Sequence, residues 1–223
     1  MDAVDAGVAF RLLRKDRALE VFEELEPVDQ QPILEGLRDR SFLDLIEGMD
    51  PDDRARMLRE APAKVVKRVL AGLSPNERKM TSALLGYPEG SVGRYMTPEV
   101  VALPQDLTVD QALRTVRAKG ADAGTVYTLP VVDSGRRLTG IVELRELVLD
   151  APDTMISTLV VTEPASAYAT DSAEAAARLM REANDLNRPV VDSEDRLVGW
   201  FTIDDALEII EAADSSPATG HCG

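Results

Sequence analysis

Two stretches in the second half of the chain repeat one another at an offset of 59 residues. Pro130 to Gly140 matches Pro189 to Gly199 at eight of eleven positions, and each stretch follows a predicted helix, near 108–119 and 171–184. The short β-rich runs around each Ser-containing turn predict hairpins. Each copy is therefore expected to form strand, helix, strand, turn, strand and helix. Because one copy is too small to bury its own sheet, the two should pack together.

The first 85 residues carry a different repeat. Leu25-Glu26-Pro27, Met49-Asp50-Pro51 and Leu73-Ser74-Pro75 are spaced 24 residues apart, and Ala61-Pro62 lies between the last two. Proline suits the first turn of a helix, because its missing N–H has no partner there in any case. A 24-residue unit with two such starts predicts pairs of short helices that stack as in a solenoid. A generic protein-interaction array is the alternative interpretation.

The charge distribution excludes several function classes. The chain has 40 acidic and 25 basic residues, a net charge of −15, of which residues 151–223 supply 14 acids against 4 bases. Such a balance argues against binding to nucleic acid or to anionic membranes. The longest uncharged run is ten residues, 123–132, whereas a membrane-spanning helix needs about 20. We therefore expect no direct membrane insertion.

Catalytic signatures are missing from the sequence. The one His and the one Cys are His221 and Cys222, both in the tail. This position argues against histidine acid–base chemistry and a cysteine nucleophile, and a single Cys excludes an intrachain disulfide framework. Phosphate-binding glycine motifs do not occur either. We therefore expect a protein that is not an enzyme.

The duplicated half resembles a tandem pair of CBS domains, also called a Bateman module. The end of the second copy, from Gly199 to Asp205, follows that family's G-h-x-[ST]-x-x-[DN] run, where h is apolar. In nucleotide-binding members the hydroxyl approaches phosphate and the acid binds ribose, which assigns these roles to Thr202 and Asp205, with ATP or AMP as ligand. The first copy has Glu143 in place of the hydroxyl, and a carboxylate there would repel phosphate. A capping-box variant is the alternative explanation of Thr202 and Asp205.

The order of the segments resembles a more specific family. A helical repeat, a Gly-x-x-Met-Thr-Pro linker at 93–98 and two CBS copies are similar to the cytosolic part of MgtE-type magnesium transporters. The resemblance implies an α+β fold, in which an N-terminal superhelical all-α helix-hairpin repeat precedes the Bateman module. The expected divisions are a helical domain (1–88), a linker (89–98), two CBS domains (99–152 and 153–214) and a flexible tail (215–223).

The same resemblance implies a function. The chain would sense Mg²⁺ through cations that bridge acidic faces of the helical domain and the second CBS domain, and so gate transport. We expect a homodimer formed through the CBS domains and a cytoplasmic location at the inner face of the membrane. Since the chain carries no pore of its own, a membrane pore domain is expected in cis or in trans. An adenine-nucleotide-binding CBS regulator and a plain interaction scaffold are the alternative hypotheses.

The family's metal ligands carry over to carboxylates whose local sequence matches. Asp205 and Glu208 share one helix face, where like charges cost about 0.2–0.5 kcal/mol a pair that a cation would relieve. Mg²⁺ keeps several waters, so one or two carboxylates suffice for a site. A capping box with Asp171 as N-cap is the alternative role of Glu174. Asn184 and Ser216 stand where the family often has acids. The assigned ligands are Glu20, Asp52, Glu174, Asp205 and Glu208.

Overall fold

The chain divides into two compact units, Met1–Gly86 and Tyr87–Gly223. The structure, a computed structural model, describes residues 46–59 and 61–215, together with Val21, Leu25 and Leu43. No helix in these ranges is long and apolar enough to cross a bilayer. The fold combines a helical N-terminal region with two small mixed sheets, as the sequence predicts.

The described part of the first unit consists of three short helices: α1 (Pro51–Arg59), α2 (Ala63–Gly72) and α3 (Pro75–Gly86). Helices α1 and α3 begin at the prolines of the 24-residue repeat, and α2 begins directly after Pro62. These three predicted starts are confirmed, whereas Pro27 lies outside the described residues. The apolar face of the helices forms one core, whose buried members are Ile46, Met49, Met57, Leu58, Val69 and Leu73.

Arg54 lies on α1 and is fully buried. Its guanidinium joins the chain before α1 to helix α3 through five hydrogen bonds, which equals the number of N–H donors that an arginine has. An ion pair with Glu77 compensates the buried charge. The acceptors are the carbonyl oxygens of Ile46 (2.8 Å), Glu47 (3.2 Å) and Met49 (2.5 Å), and the side chains of Glu77 (2.8 Å) and Thr81 (2.9 Å).

The second unit contains the two predicted copies. In each copy a short first strand runs parallel to the second, which forms an antiparallel hairpin with the third. The predicted order of strands and helices is confirmed. The elements are β1 (Leu103–Pro104), α4 (Val109–Lys119), β2 (Thr128–Val132), β3 (Leu138–Glu143), α5 (Leu144–Leu149), β4 (Val161–Thr162), β5 (Ala167–Tyr168), α6 (Ala173–Ala183), β6 (Asn187–Val191), β7 (Leu197–Thr202) and α7 (Ile203–Ser215).

The hairpin tips tie the copies to one another. In each turn the carboxylate of an aspartate, Asp133 or Asp192, accepts two backbone N–H groups. The residues three positions later, Arg136 and Asp195, have positive φ angles of 64° and 60°. The carbonyl oxygen of each of these two residues accepts a hydrogen bond from the hairpin of the other copy. Leu138 donates its N–H to Asp195 and Leu197 donates to Arg136, both at 3.0 Å. The duplication is therefore visible as a pseudo-twofold contact.

The segment before each copy contacts the sheet of the other copy. Strand β4, which precedes the first strand of the second copy's own sheet, β5, pairs antiparallel with β3 of the first copy. In the same way Thr97, which precedes the first copy, forms a bridge with Trp200 on β7. The predicted linker 89–98 is thus held against the second copy. Two further bonds fix it there, from Val92 N–H to Asp171 (2.9 Å) and from Gly93 N–H to Ala169 (2.8 Å).

Both motif glycines lie where these segments cross. A Cβ on Gly199 would lie 2.6 Å from the carbonyl oxygen of Thr97, and a Cβ on Gly140 would lie 2.6 Å from that of Val161. Real Cβ atoms do not approach backbone oxygens so closely. The glycine at the start of this run in the second copy, and its equivalent in the first, are therefore required by backbone packing, whether or not a ligand binds.

Candidate functional site

Thr202 and Asp205 lie at the junction of β7 and α7. The hydroxyl of Thr202 donates to Asp205 Oδ2 at 2.6 Å, and Thr202 is only 8% exposed. The assignment of these two residues to a nucleotide site stays a prediction. A hydroxyl that bonds a carboxylate at the start of a helix fits both a local structural role and a polar ligand site.

Two further polar residues surround this pair, and the sequence did not identify them. Asn187 is the ladder partner of Thr202 in the β6–β7 hairpin. Its side-chain amide donates to Thr125 Oγ1 at 3.5 Å, and that hydroxyl also accepts from the N–H of Tyr127 at 3.3 Å. Since Thr125 precedes β2, the first copy contributes a side chain beside the second-copy motif. No short motif signals such a contact, because the two residues are far apart in sequence.

The first copy differs at the corresponding junction. Glu143, opposite Thr128 in the ladder, takes the position of Thr202 at the end of the hairpin. Its side chain is exposed. The backbone is otherwise conserved between copies, because Leu144 N–H donates to Tyr127 and Ile203 N–H donates to Leu186, both at 2.9 Å. The two junctions therefore share a backbone and differ in chemistry, with a carboxylate in one and a hydroxyl in the other.

Glu174 belongs to an ion-pair bridge between α6 and α7. Arg178 contacts Glu174 one turn earlier at 3.0 Å and Asp214 near the end of α7 at 2.8 Å. The hydrogen bond to Asp214 is the main cause that raises the pKa of Arg178, and the bond from Arg178 lowers the pKa of Asp214. Both carboxylates are about half exposed. Asp214 was not identified from sequence, since its partner lies on another helix.

The alternative role of Glu174, a capping box with Asp171 as N-cap, is wrong. The N-cap of α6 is Ser172, whose hydroxyl accepts from Ala175 N–H. The carboxylate of Asp171 instead accepts from the N–H of Tyr168 at 2.8 Å. Serine and aspartate both suit an N-cap, so the sequence did not distinguish two adjacent positions. Glu174 remains in the first turn of α6, where its charge suits the helix dipole.

The remaining predicted ligands lie apart from this bridge or outside the described residues. Asp205 and Glu208 are three residues apart on α7, half-buried and exposed respectively. Asp52 is half-buried in the first turn of α1, in the first unit, and Glu20 lies outside the described residues. Within 46–59 and 61–215, no three His, Cys, Asp or Glu side chains form a group that could hold a metal ion. The ligand assignment stays a prediction.

Two family profiles match the chain. The MgtE intracellular N domain matches residues 1–90, and the CBS domain matches residues 92–150 and 156–212. The magnesium transporter MgtE of Thermus thermophilus is 36% identical over 209 residues, which are 92% of this chain and 46% of that protein. MgtE of Bacillus subtilis is 30% identical over 198 residues, 89% of this chain and 44% of that protein. The chain spans less than half the length of these curated relatives.

Solved structures agree with this assignment. A crystal structure of the cytosolic domain of the Mg²⁺ channel MgtE in complex with ATP has a TM-score of 0.87 and 34% identity, covering 94% of this chain and 86% of that one. The soluble part of a magnesium transporter has a TM-score of 0.88 and 26% identity, covering 96% and 85%. The chain therefore belongs to the MgtE family, as an MgtE N domain followed by two CBS domains that are regulatory in kind.

Proposed function

We propose that the chain is the Mg²⁺-sensing regulatory part of an MgtE-type transporter and has no enzymatic activity. The observation that carries the proposal is helix α7, which holds five carboxylates and no basic residue in 13 positions. Acidic side chains near a helix C-terminus oppose the helix dipole, and like charges one turn apart repel. Arg178 pairs with Asp214 near the end of the helix. Divalent cations bound along α7 would reduce the repulsion among its carboxylates and so link helix conformation to Mg²⁺ concentration.

The ligands that we assign to this response are Asp205 and Glu208, with Glu20 and Asp52 as partners from the helical domain. Mg²⁺ prefers oxygen ligands and retains several waters, so few carboxylates are needed and affinity is modest. Glu174 is a weaker choice than its sequence context indicates, because a cation would first have to displace the guanidinium of Arg178. We infer that transport is gated in a pore domain supplied in cis or in trans, at the cytoplasmic face of a membrane.

Calorimetric titration with MgCl₂ tests the proposal, with small-angle scattering in parallel. We expect millimolar-range binding and a more compact particle. Asp205→Asn with Glu208→Gln keeps the side-chain shapes and should abolish most of the response. The matched control is Asp153→Asn with Glu163→Gln, which removes the same charge at two exposed sites away from α7. An unchanged response in the α7 variant, or an equal loss in the control, would refute the assignment.

A second candidate function is adenine-nucleotide binding at the Thr202–Asp205 junction. The favouring observation is the 2.6 Å bond between these side chains, in a chain similar to an MgtE cytosolic domain that was crystallised with ATP. Titration with ATP in EDTA separates this function from Mg²⁺ sensing. Thr202→Ala should lose ATP binding, whereas Thr139→Ala in the first copy should retain it. Binding that survives Thr202→Ala would place the nucleotide elsewhere.

We also propose that the chain forms a homodimer through its CBS domains. The support is a set of exposed apolar side chains at equivalent positions of the two copies, Tyr127 with Leu186 and Val148 with Leu207, which are 44–74% exposed. Large exposed apolar side chains are typical of an association surface. Val148→Glu with Leu207→Glu should convert a dimer to a monomer in sedimentation velocity. A monomeric wild-type protein at micromolar concentration would contradict the proposal.

A further inference from the structure

Arg188 occupies a position where the duplication predicts an apolar core residue. It is the second residue of β6 and lies opposite Phe201, just as Leu129 is the second residue of β2 and lies opposite Val142. Leu129 is fully buried in the core of the first copy. Arg188 is only 7% exposed. The second copy therefore has a charged side chain at the position that an apolar side chain occupies in the first copy.

The hydrogen bonding of this arginine is incomplete. One terminal nitrogen of Arg188 forms an ion pair with Asp185, whose side chain is 30% exposed. The Nε of Arg188 is buried, and none of the residues that the structure describes accepts a hydrogen bond from it. The indole nitrogen of Trp200 is likewise buried without a partner, whereas the equivalent residue of the first copy, Ile141, has no polar group. Each unsatisfied buried donor loses its hydration without a compensating bond.

The second copy has a larger side chain than the first at this strand position and a smaller one at a position on the following helix. Leu147 packs in the same cluster as Leu129 and is fully buried. Its equivalent, the fourth residue of α7, is Ala206, which is also fully buried. A smaller residue on the helix leaves volume for a longer one on the strand. The exchange keeps the second copy packed, but it replaces apolar contacts by a partly buried ion pair, and a buried ion pair is often no more stable than its apolar counterpart.

We propose that the second CBS copy is the labile half of the pair and that Arg188 sets this lability. The copy opens locally, so that Arg188 and Asp185 regain water and the two buried N–H groups find acceptors. Opening of the β6–β7 hairpin separates Thr202 from Asn187. Local opening therefore changes the junction where Asn187 contacts Thr125 of the first copy. The inference concerns the unliganded protein and does not depend on Mg²⁺ or nucleotide binding.

Hydrogen exchange of the full chain in EDTA, read as protection factors by mass spectrometry, tests the inference. We expect amides of β6 and β7 to be about tenfold less protected than those of β2 and β3, since buried ion pairs and unsatisfied groups lower the local free energy of opening. Arg188→Leu restores the first-copy residue. It should raise protection in β6 and β7 about tenfold and leave β2 and β3 unchanged.

Two further variants make each outcome decisive. Arg188→Met keeps a long unbranched chain without the charge and should also raise protection. Asp185→Asn leaves the arginine without its counter-ion and should lower protection further. Equal protection of the two copies in the wild type would overturn the inference, and so would loss of protection or loss of folding in both Arg188→Leu and Arg188→Met. Repeating the exchange with MgCl₂ then tests the proposed sensing separately.

Discussion

Thr97 and Trp200 exchange two backbone hydrogen bonds, with the N–H of each donating to the carbonyl oxygen of the other at 2.8 and 2.9 Å. This is the hydrogen-bonded pair of an antiparallel ladder. The segment that precedes the first CBS copy is therefore bonded to the sheet of the second. It is not a free tether, and its register on β7 is fixed by the close approach of Thr97 to Gly199.

Gly199→Ala should destabilise the second copy. The added Cβ would lie 2.6 Å from the Thr97 carbonyl oxygen, so the bridge must shift or break. We expect a loss of about 1–3 kcal/mol, the usual cost of overpacking. The protein has one tryptophan, Trp200, and it is fully buried, so its fluorescence during urea unfolding reports this copy. Gly86→Ala is the control, because its Cβ would meet open space in the first unit. Equal midpoints for wild type and Gly199→Ala would contradict the account.

Arg54→Met should destabilise the first unit strongly. The substitution removes five hydrogen bonds and leaves Glu77 without its buried partner. Breaking a buried ion pair costs about 3–5 kcal/mol. Circular dichroism should show early loss of helix, while the fluorescence of Trp200 keeps its own transition. Arg56→Met, which removes a more exposed pair with Asp53, should cost less than about 1 kcal/mol. Similar effects of the two substitutions would show that the buried network is not decisive.

Thr202→Val should weaken the β7–α7 junction while preserving its shape. The hydroxyl bond to Asp205 is lost, and a hydrogen bond to a charged group contributes about 1.5–3 kcal/mol. Thr202→Ser retains the hydroxyl and should remain close to wild type. The measurement is again the urea midpoint from Trp200 fluorescence. If valine were tolerated as well as serine, the bond would have no net effect on stability.

Asp214 should titrate below the usual range of an aspartate. The hydrogen bond from Arg178 lowers its pKa in the folded protein. A lowered folded-state pKa contributes stability that is present above the unfolded-state pKa and is lost as the pH falls through the folded-state value. The stabilisation from the α6–α7 bridge should therefore be fully present at neutral pH, begin to decline below the unfolded-state pKa of about 4, and be lost only below the lowered pKa of folded Asp214. Carboxyl NMR titration measures the pKa, and Arg178→Gln should return it to the usual range. An unchanged value would mean that the bridge is not populated in solution.

The duplication was readable from sequence because it is a one-dimensional pattern. Matching residues at a fixed offset predicted both hairpins and both helices, and repeated prolines predicted the starts of α1 and α3. Contacts between distant residues left no such pattern. The pairing of Arg178 with Asp214 and the approach of Asn187 to Thr125 depend on how helices and strands pack. The shift of the N-cap from Asp171 to Ser172 was likewise undetermined, because both residues satisfy the same backbone groups.

The crossed pairing between the two CBS copies has a consequence for how a single copy could fold by itself. The segment ahead of β1 contacts the second copy, and strand β4, which lies ahead of β5, contacts the first. A single ancestral copy with its own leading segment could reproduce this pattern only by exchanging that segment with another molecule, as domain-swapped dimers do. The fused chain thus holds the geometry of a swapped pair within one polypeptide. The unit that repeats in the sequence is consequently not a unit that could be cut out intact.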